Sequence, residues 1–557
     1  MNAFCWRKNA CVLLILSVSL GLGHVRRGAA QDAHASHQPS ALPLSIPREF
    51  LERPLPLRKG IGSAHDAVST RLPQAQAFYD QGLAYLHSFV WIEAARSFNQ
   101  ALRLDPNLAM AGVGLSYAYT ELNAPADAHA ALDRARALLE HAGADAQQPN
   151  DHDRRHAAAR AAQMAAEDAP RDASKLAAYR TQLDDALTRF PFDEELWLLR
   201  GIAESADPAD RGQGSTASSA RFYERALALA PAHDAAHHYL AHASENAGRT
   251  DEALKYGAEY ARLAPAIPHA RHMHGHSLRR AGRAGEAVAE FEAADRLEVA
   301  YFEAEGIPAE YDWHYHHNLD LLATTYQYLG QMGKAERLLK AAFAIPSALV
   351  VQEFNKREWP TFLIARGRSE QALAAAAVLV DHRSPLIRAT GHVEAAHALL
   401  AMGRFAPAAV ESNAALHELE RAADGAALVA PSLEVVQGEF FLRTGDKDKG
   451  RAMLTRAIEK MRAAPGPDAW AQALFTLEAI ARAARDAGDW PFAGLVAEQM
   501  REHDPAYAGT HYAQALVADH AGDRPAARAA FALAAKQWSQ ADPDLPELAD
   551  IRMRTRP

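Results

Sequence analysis

Two His-x-x-x-His pairs stand out in this chain of 557 residues. His238 and His242 form the first pair, and His272 and His276 form the second, each 34 residues after its counterpart. Residues four apart on a helix carry Cβ atoms about 5–6 Å apart. Each pair can therefore present two imidazoles on one face, with room for an ion bonded at about 2.0–2.1 Å to each nitrogen. Glu245 follows the first pair and His269 precedes the second. Further on, the stretch Trp313-His-Tyr-His-His-Asn-Leu-Asp brings His317 and Asp320. The chemistry open to this set is metal ligation. Four His, or three with Glu245 or Asp320, could hold one ion, and the whole set could hold two. Nitrogen and oxygen ligands without thiolate suit Zn, Cu, Ni or Fe. If the site is catalytic, Glu245 and Asp320 are the candidate general bases beside a metal-bound water. The spacing names no reaction.

A plainer reading competes with this one. The chain carries 27 His, and His on an exposed wall needs no ligand. A cluster of neutral His near the usual pKa of about 6.5 would charge together as pH falls and make an acid-dependent binding wall. His237 and His274 occupy other helix faces and read as packing or surface residues. His87, His397 and His511 read as structural.

The elements that position these residues announce themselves through glycine. Gly248, Gly282, Gly330, Gly367, Gly403, Gly445, Gly488 and Gly522 are each followed five residues on by Ala or Gly. The first glycine permits the left-handed end of one helix, and the small residue lets a second helix approach closely. The earlier stretch Ala77–Leu104 has the same helix–turn–helix character, closed by Asp105-Pro106. This resembles the tetratricopeptide (TPR) pattern and predicts an all-α, right-handed solenoid with a concave inner face. The TPR resemblance implies that positions 2, 5, 9 and 12 of each first helix line the groove. With Gly248 at position 15, that wall carries His238, His242, Glu245, His269, His272, His276, His317 and Asp320.

Composition agrees. Hydrophobic residues make up 49% of the chain and aromatic residues 8%, and the abundance of Ala favours helices over sheets. The net charge of −10 comes without any basic block, so nothing points to nucleic acid. Cys5 and Cys11 are the two cysteines, and both fall in a segment with the marks of a secretory signal. Arg7 and Lys8 precede the apolar run Ala10–Gly23, and Gly28-Ala29-Ala30 offers a cleavage site. That run is too short to span a bilayer, which needs about 20 residues. Cleavage leaves an exported, periplasmic or secreted chain with neither Cys nor a transmembrane helix.

The expected organisation is a cleaved signal at 1–30 and a Pro/Ser-rich extension at 31–73. TPR and divergent helical repeats follow at 74–232, and the His-rich repeats at 233–346. Further TPR repeats occupy 347–541, with a tail at 542–557. Within 233–346, residues 298–311 read as an insertion.

Several segments also resemble a family of bacterial TPR proteins. They are Gly60-x-Gly62-x-x-His65, His238-Tyr-x-x-His242-Ala-x-Glu245, His269-x-x-His272-Met-x-x-His276 and His317-Asn318. The resemblance spans about residues 58–345 and implies no particular reaction. The leading expectation is an exported solenoid with a His-rich transition-metal site in its concave groove and room for catalysis. The alternative is a non-enzymatic scaffold holding a peptide or protein partner in that groove.

Overall fold

A computed structural model describes residues 46–141, 151–347, 350–422, 425–464 and 467–556. The expected signal and the start of the N-terminal extension lie outside these residues. Among the described residues every regular element is helical. No helix among them is long and apolar enough to cross a membrane. They fall into two compact units, 46–318 and 319–556.

The first unit opens with a strap, residues 46–72, carrying the short helix α1 (Arg48–Leu51). The hairpins follow as α2 (Pro73–His87), α3 (Trp91–Leu104), α4 (Ala109–Glu121), α5 (Pro125–His141), α6 (Asp151–Glu167), α7 (Ala173–Arg189), α8 (Glu194–Ile202) and α9 (Ala217–Leu229). The His-rich part comprises α10 (Asp234–Asn246), α11 (Thr250–Leu263), α12 (Pro268–Arg280), α13 (Ala284–Glu305) and the start of α14 (Trp313–Tyr328). The fold is a TPR-like solenoid.

The glycine pattern has the expected cause. All eight turn glycines have positive φ, between 65° and 109°. The residue five positions on is buried in every case. At Gly450 an added Cβ would fall 2.6 Å from the Leu442 nitrogen of the facing helix. The first two hairpins use other residues at this turn. Phe89 (φ 60°) and Asn123 (φ 55°) take the glycine's place, and Ala94 and Ala128, five residues on, are fully buried. A bulky side chain in the left-handed region costs about 1–2 kcal/mol, so Phe89 is held there by its surroundings.

Two features close the first unit on itself. The strap buries Ile46, Leu51, Leu55, Ile61, Ala64 and Val68, which anchors it by the hydrophobic effect. Its Ser63 N–H donates to Asp234 Oδ1 at 2.8 Å, and its Gly60 carbonyl accepts from Ala266 N–H at 2.8 Å.

The second feature is the expected insertion. Residues 298–305 do not form a loop. Their sequence has no helix breaker before Gly306, so α13 runs on to Glu305 and ends there, with Gly306 at φ 61°. The added turns reach the first hairpin. Glu305 Oε2 accepts from Arg96 at 2.9 Å, and Tyr301 donates to Glu93 at 3.0 Å. Trp313 Nε1–H donates to the Phe89 carbonyl at 2.9 Å, and its ring stacks on Trp91 at 5.2 Å.

The second unit continues the repeats from the latter part of α14 to a last helix at Pro546–Arg554. It too returns to its beginning. Asp542 N–H donates to the Gly330 carbonyl at 3.1 Å, and Arg366 pairs with Glu547 at 3.0 Å.

Candidate metal centre

The structure sorts the histidines into two triads. His238, His242 and His269 converge in one, and His272, His276 and His317 in the other, with the ligand atoms of each triad within 4.8 Å of one another. Of the arrangements left open by the sequence, the donors gather as two groups of three rather than as four His from the two pairs. Each His-x-x-x-His pair is completed by the position-2 His of the following repeat. His269 from α12 joins the pair on α10, and His317 from α14 joins the pair on α12. One arrangement is built twice. The two position-2 residues lie further apart in sequence than one repeat because α13 is longer.

Distances within the triads are short. His238 Nε2 lies 3.0 Å from His269 Nε2 and 3.1 Å from His242 Nε2. His272 Nε2 lies 2.8 Å from His276 Nε2. His317 packs on His272 with ring centroids 4.6 Å apart.

The position-5 histidine has its proton fixed in both copies, by different means. His238 Nδ1 stands 2.7 Å from the backbone carbonyl of His87, which can only accept. His272 Nδ1 stands 2.9 Å from Asn318 Oδ1. The Asn318 amide is oriented by its own N–H, which donates to the Phe291 carbonyl at 3.0 Å. Both rings therefore carry Nδ1–H, and a neutral ring then turns a bare Nε2 lone pair toward its neighbours. Partners that set the tautomer in this way are typical of metal-bound His.

Burial disfavours the charged form of three of these rings. His238 and His272 are 0% exposed, and none of the six exceeds 8%. Loss of hydration pushes the His238 pKa down to about 3, and pushes His269 and His272 well below the usual value, helped by neighbouring imidazoles. This corrects the exposed groove wall and the acid-switched cluster near pKa 6.5. The sequence reading failed here because the cover comes from distant parts of the chain. Phe89 lies over the first triad, 4.7 Å from His238 and 5.0 Å from His269. Trp313 stacks on His317 at 6.0 Å.

The two candidate general bases stand elsewhere. Glu245 belongs to neither triad. Its buried carboxylate lies 3.5 Å from His276 Nδ1, behind the second triad, and neither oxygen has a hydrogen-bond partner. That is the place of an orienting group rather than of a ligand or base. Asp320 lies one turn beyond His317 on α14, half-buried, and joins neither triad.

Sequence reasoning gave His314 no firm role, yet it lies between the triads. Its ring packs edge-on against His269 at 4.9 Å and His272 at 4.6 Å. Nδ1 is hydrogen-bonded to Glu298, supplied by the added turns of α13, and the buried Nε2 has no hydrogen-bond partner. The pattern His314-x-x-His317 was the available signal.

His316 is buried as well. His87 sits outside the triads, bonded to Tyr239 at 2.7 Å and Glu195 at 2.8 Å. His237 donates from Nε2 to the Pro231 carbonyl at 3.1 Å, and His274 faces Glu290 at 3.4 Å.

Neither a family model nor a curated protein sequence matches the chain. Among solved structures it is similar to the human IFIT1 dimer with m7Gppp-AAAA, at 12% identity and a TM-score of 0.38, covering 77% of this chain and 90% of that one. It is similar to the apo form of the quorum sensor NprR from B. thuringiensis, at 11% identity and a TM-score of 0.38, covering 67% and 94%. It is also similar to yeast Tom70, at 14% identity and a TM-score of 0.36, covering 78% and 93%. At these scores the TPR-like assignment rests on the chain's own hairpins, and the bare imidazole nitrogens remain the features that call for a function.

Proposed function

We propose that this chain is an exported protein that binds transition-metal ions at two adjacent His-triad sites inside its first helical unit. One observation carries the reading: the position-5 His of each triad is held as the Nδ1–H tautomer with a bare, buried Nε2 facing other imidazoles. That lone pair meets other imidazole nitrogens 2.8–3.1 Å away, and an ion shared by three nitrogens would take the place of the protons that otherwise lie between them.

Nitrogens 2.8–3.1 Å apart on bonds of about 2.0–2.1 Å subtend about 90° at an ion. Three imidazole nitrogens suit Zn, Cu, Ni or Fe and leave coordination positions open. His314, with its unpartnered Nε2 between the triads, is placed to join either ion. Open coordination next to a protonatable group is what metal-assisted chemistry needs, and the reaction is left unassigned.

The test is metal content by mass spectrometry on protein carrying no affinity His-tag, beside the His238→Ala/His272→Ala variant. Stoichiometric metal that the folded variant loses supports the reading, and a metal-free wild type that resists loading overturns it.

A second reading, partner binding by the scaffold, draws on the second unit. A cavity of about 290 Å³ there is lined by Glu478, Arg482, Arg485, Tyr512, Glu547 and Asp550. Its charged and aromatic lining suits an extended peptide, and binding there would be independent of the triads.

A further inference from the structure

A third convergence of ligand atoms lies away from the triads, where the strap meets α6 and the start of α8. Asp66, His152, His156 and Asp193 offer four donor atoms within 4.8 Å of one another. The two His stand four apart on α6. Asp66 comes from the strap, and Asp193 is the residue that caps α8.

The donors are aimed at one point. Asp193 Oδ2 lies 2.9 Å from both His152 Nε2 and His156 Nε2, and Asp66 Oδ1 lies 3.1 Å from His152 Nε2. These separations match those of ligands sharing one ion at bonds of about 2.0–2.2 Å.

Three of the four donors also have a partner on the far side. His152 Nδ1 faces Asp153 Oδ1 at 3.1 Å. Asp66 Oδ2 accepts from the buried Tyr79 hydroxyl at 3.1 Å. Asp193 Oδ1 accepts from Leu196 N–H at 2.9 Å. Outer partners that fix ring and carboxylate orientation are a regular feature of metal sites.

The local field favours positive charge. Three carboxylates, Asp66, Asp153 and Asp193, stand within 3.1 Å of the two imidazoles. Their negative charge suits a divalent ion.

We propose that Asp66, His152, His156 and Asp193 form a third, structural divalent-metal site that fastens the strap to α6 and α8. Two imidazole nitrogens and two carboxylate oxygens suit Zn, Mn or Fe(II). The role is mechanical, since the strap is what closes the first unit. The site shares no residue with the triads and stands or falls independently of them.

The experiment loads the full mature chain with zinc after chelation and counts bound equivalents. Asp193→Asn is the main variant, because Asn caps a helix as well as Asp does while removing the anionic ligand. The expected result is one equivalent fewer than wild type, with His238→Ala leaving that equivalent in place. Zinc should also slow proteolysis within residues 60–72 in wild type but not in Asp193→Asn. An unchanged equivalent count in Asp193→Asn, with no zinc-dependent protection, shows an ion-pair cluster only and overturns the proposal. If the variant does not fold, anomalous scattering from zinc-loaded wild-type crystals decides. A peak within bonding distance of Asp193 Oδ2 supports the site, and an empty position overturns it. Loss of the triad ions with retention of this one would sink the proposed function and leave this inference standing.

Discussion

Glu245 of one repeat stands 3.5 Å from His276 Nδ1 of the next. The helix that carries two ligands of the first triad therefore also carries the group behind the second. A buried carboxylate facing Nδ1 favours a proton there and leaves Nε2 to the triad. Glu245→Gln should weaken metal binding about 10-fold at the second triad and leave the first unchanged, as read by titrating the chelated protein. Equal weakening at both triads would contradict this placement.

Asn318 gives a matched test on the same triad. It accepts from His272 Nδ1 and donates to the Phe291 carbonyl. Asn318→Ala frees the His272 tautomer, leaves His272 Nδ1 without its acceptor, and removes a second hydrogen bond from a carbonyl that keeps its helical one. The expected cost is about 1–3 kcal/mol of stability and about 10–100-fold in affinity at the second triad alone.

Phe89 separates backbone strain from packing. Its φ of 60° is one that glycine adopts freely, while its ring covers the first triad. Phe89→Ala should destabilise by about 3–5 kcal/mol, measured by urea unfolding. Phe89→Gly loses the same ring but relieves the backbone, so it should be about 1 kcal/mol more stable than Phe89→Ala. Both should speed metal release from the first triad. The reverse order of stability would show that the turn carries no left-handed strain once the ring is gone.

The metal-free protein should lose stability as pH falls. His238 and His314 have folded-state pKa values near 3, from burial and then neighbouring His or backbone effects, against about 6.5 unfolded. The unfolded chain thus binds more protons between those values. Stability is fully present above about 6.5 and is lost toward about 3, at about 1 kcal/mol per pH unit for each such His. His152, with its pKa raised to about 12, is charged when folded and loses its proton near 6.5 when unfolded, so it opposes this decline above about pH 6 and adds little slope below it. Urea midpoints in chelator at pH 6, 5.5 and 5 should therefore decline, and a rising midpoint over that range would contradict buried neutral triads.

Much of the fold was legible because its causes are local. The eight glycines and the small residues five positions later encode hairpin turns and close helix approach, and both are read within a few residues. The position-5 and position-9 pairs were legible for the same reason, since helix geometry fixes their shared face. Which histidine completes each pair was not legible. That depends on how the next hairpin is offset, and the extra turns of α13 change the spacing from 34 residues. Burial of the first triad was hidden too, because Phe89 arrives from far along the sequence. The strap cluster was missed outright. His152-x-x-x-His156 was visible on a helix expected at 151–167, but Asp66 and Asp193 meet it only through tertiary packing.

The central claim is that each pair is completed by the position-2 His of the following repeat. The most direct measurement is metal content of wild type, His269→Ala, His317→Ala and the double variant, loaded identically and each checked for folding. The account predicts one equivalent lost in each single variant and two in the double. Full retention in both single variants would show that the His-x-x-x-His pairs bind without His269 and His317, and would contradict it.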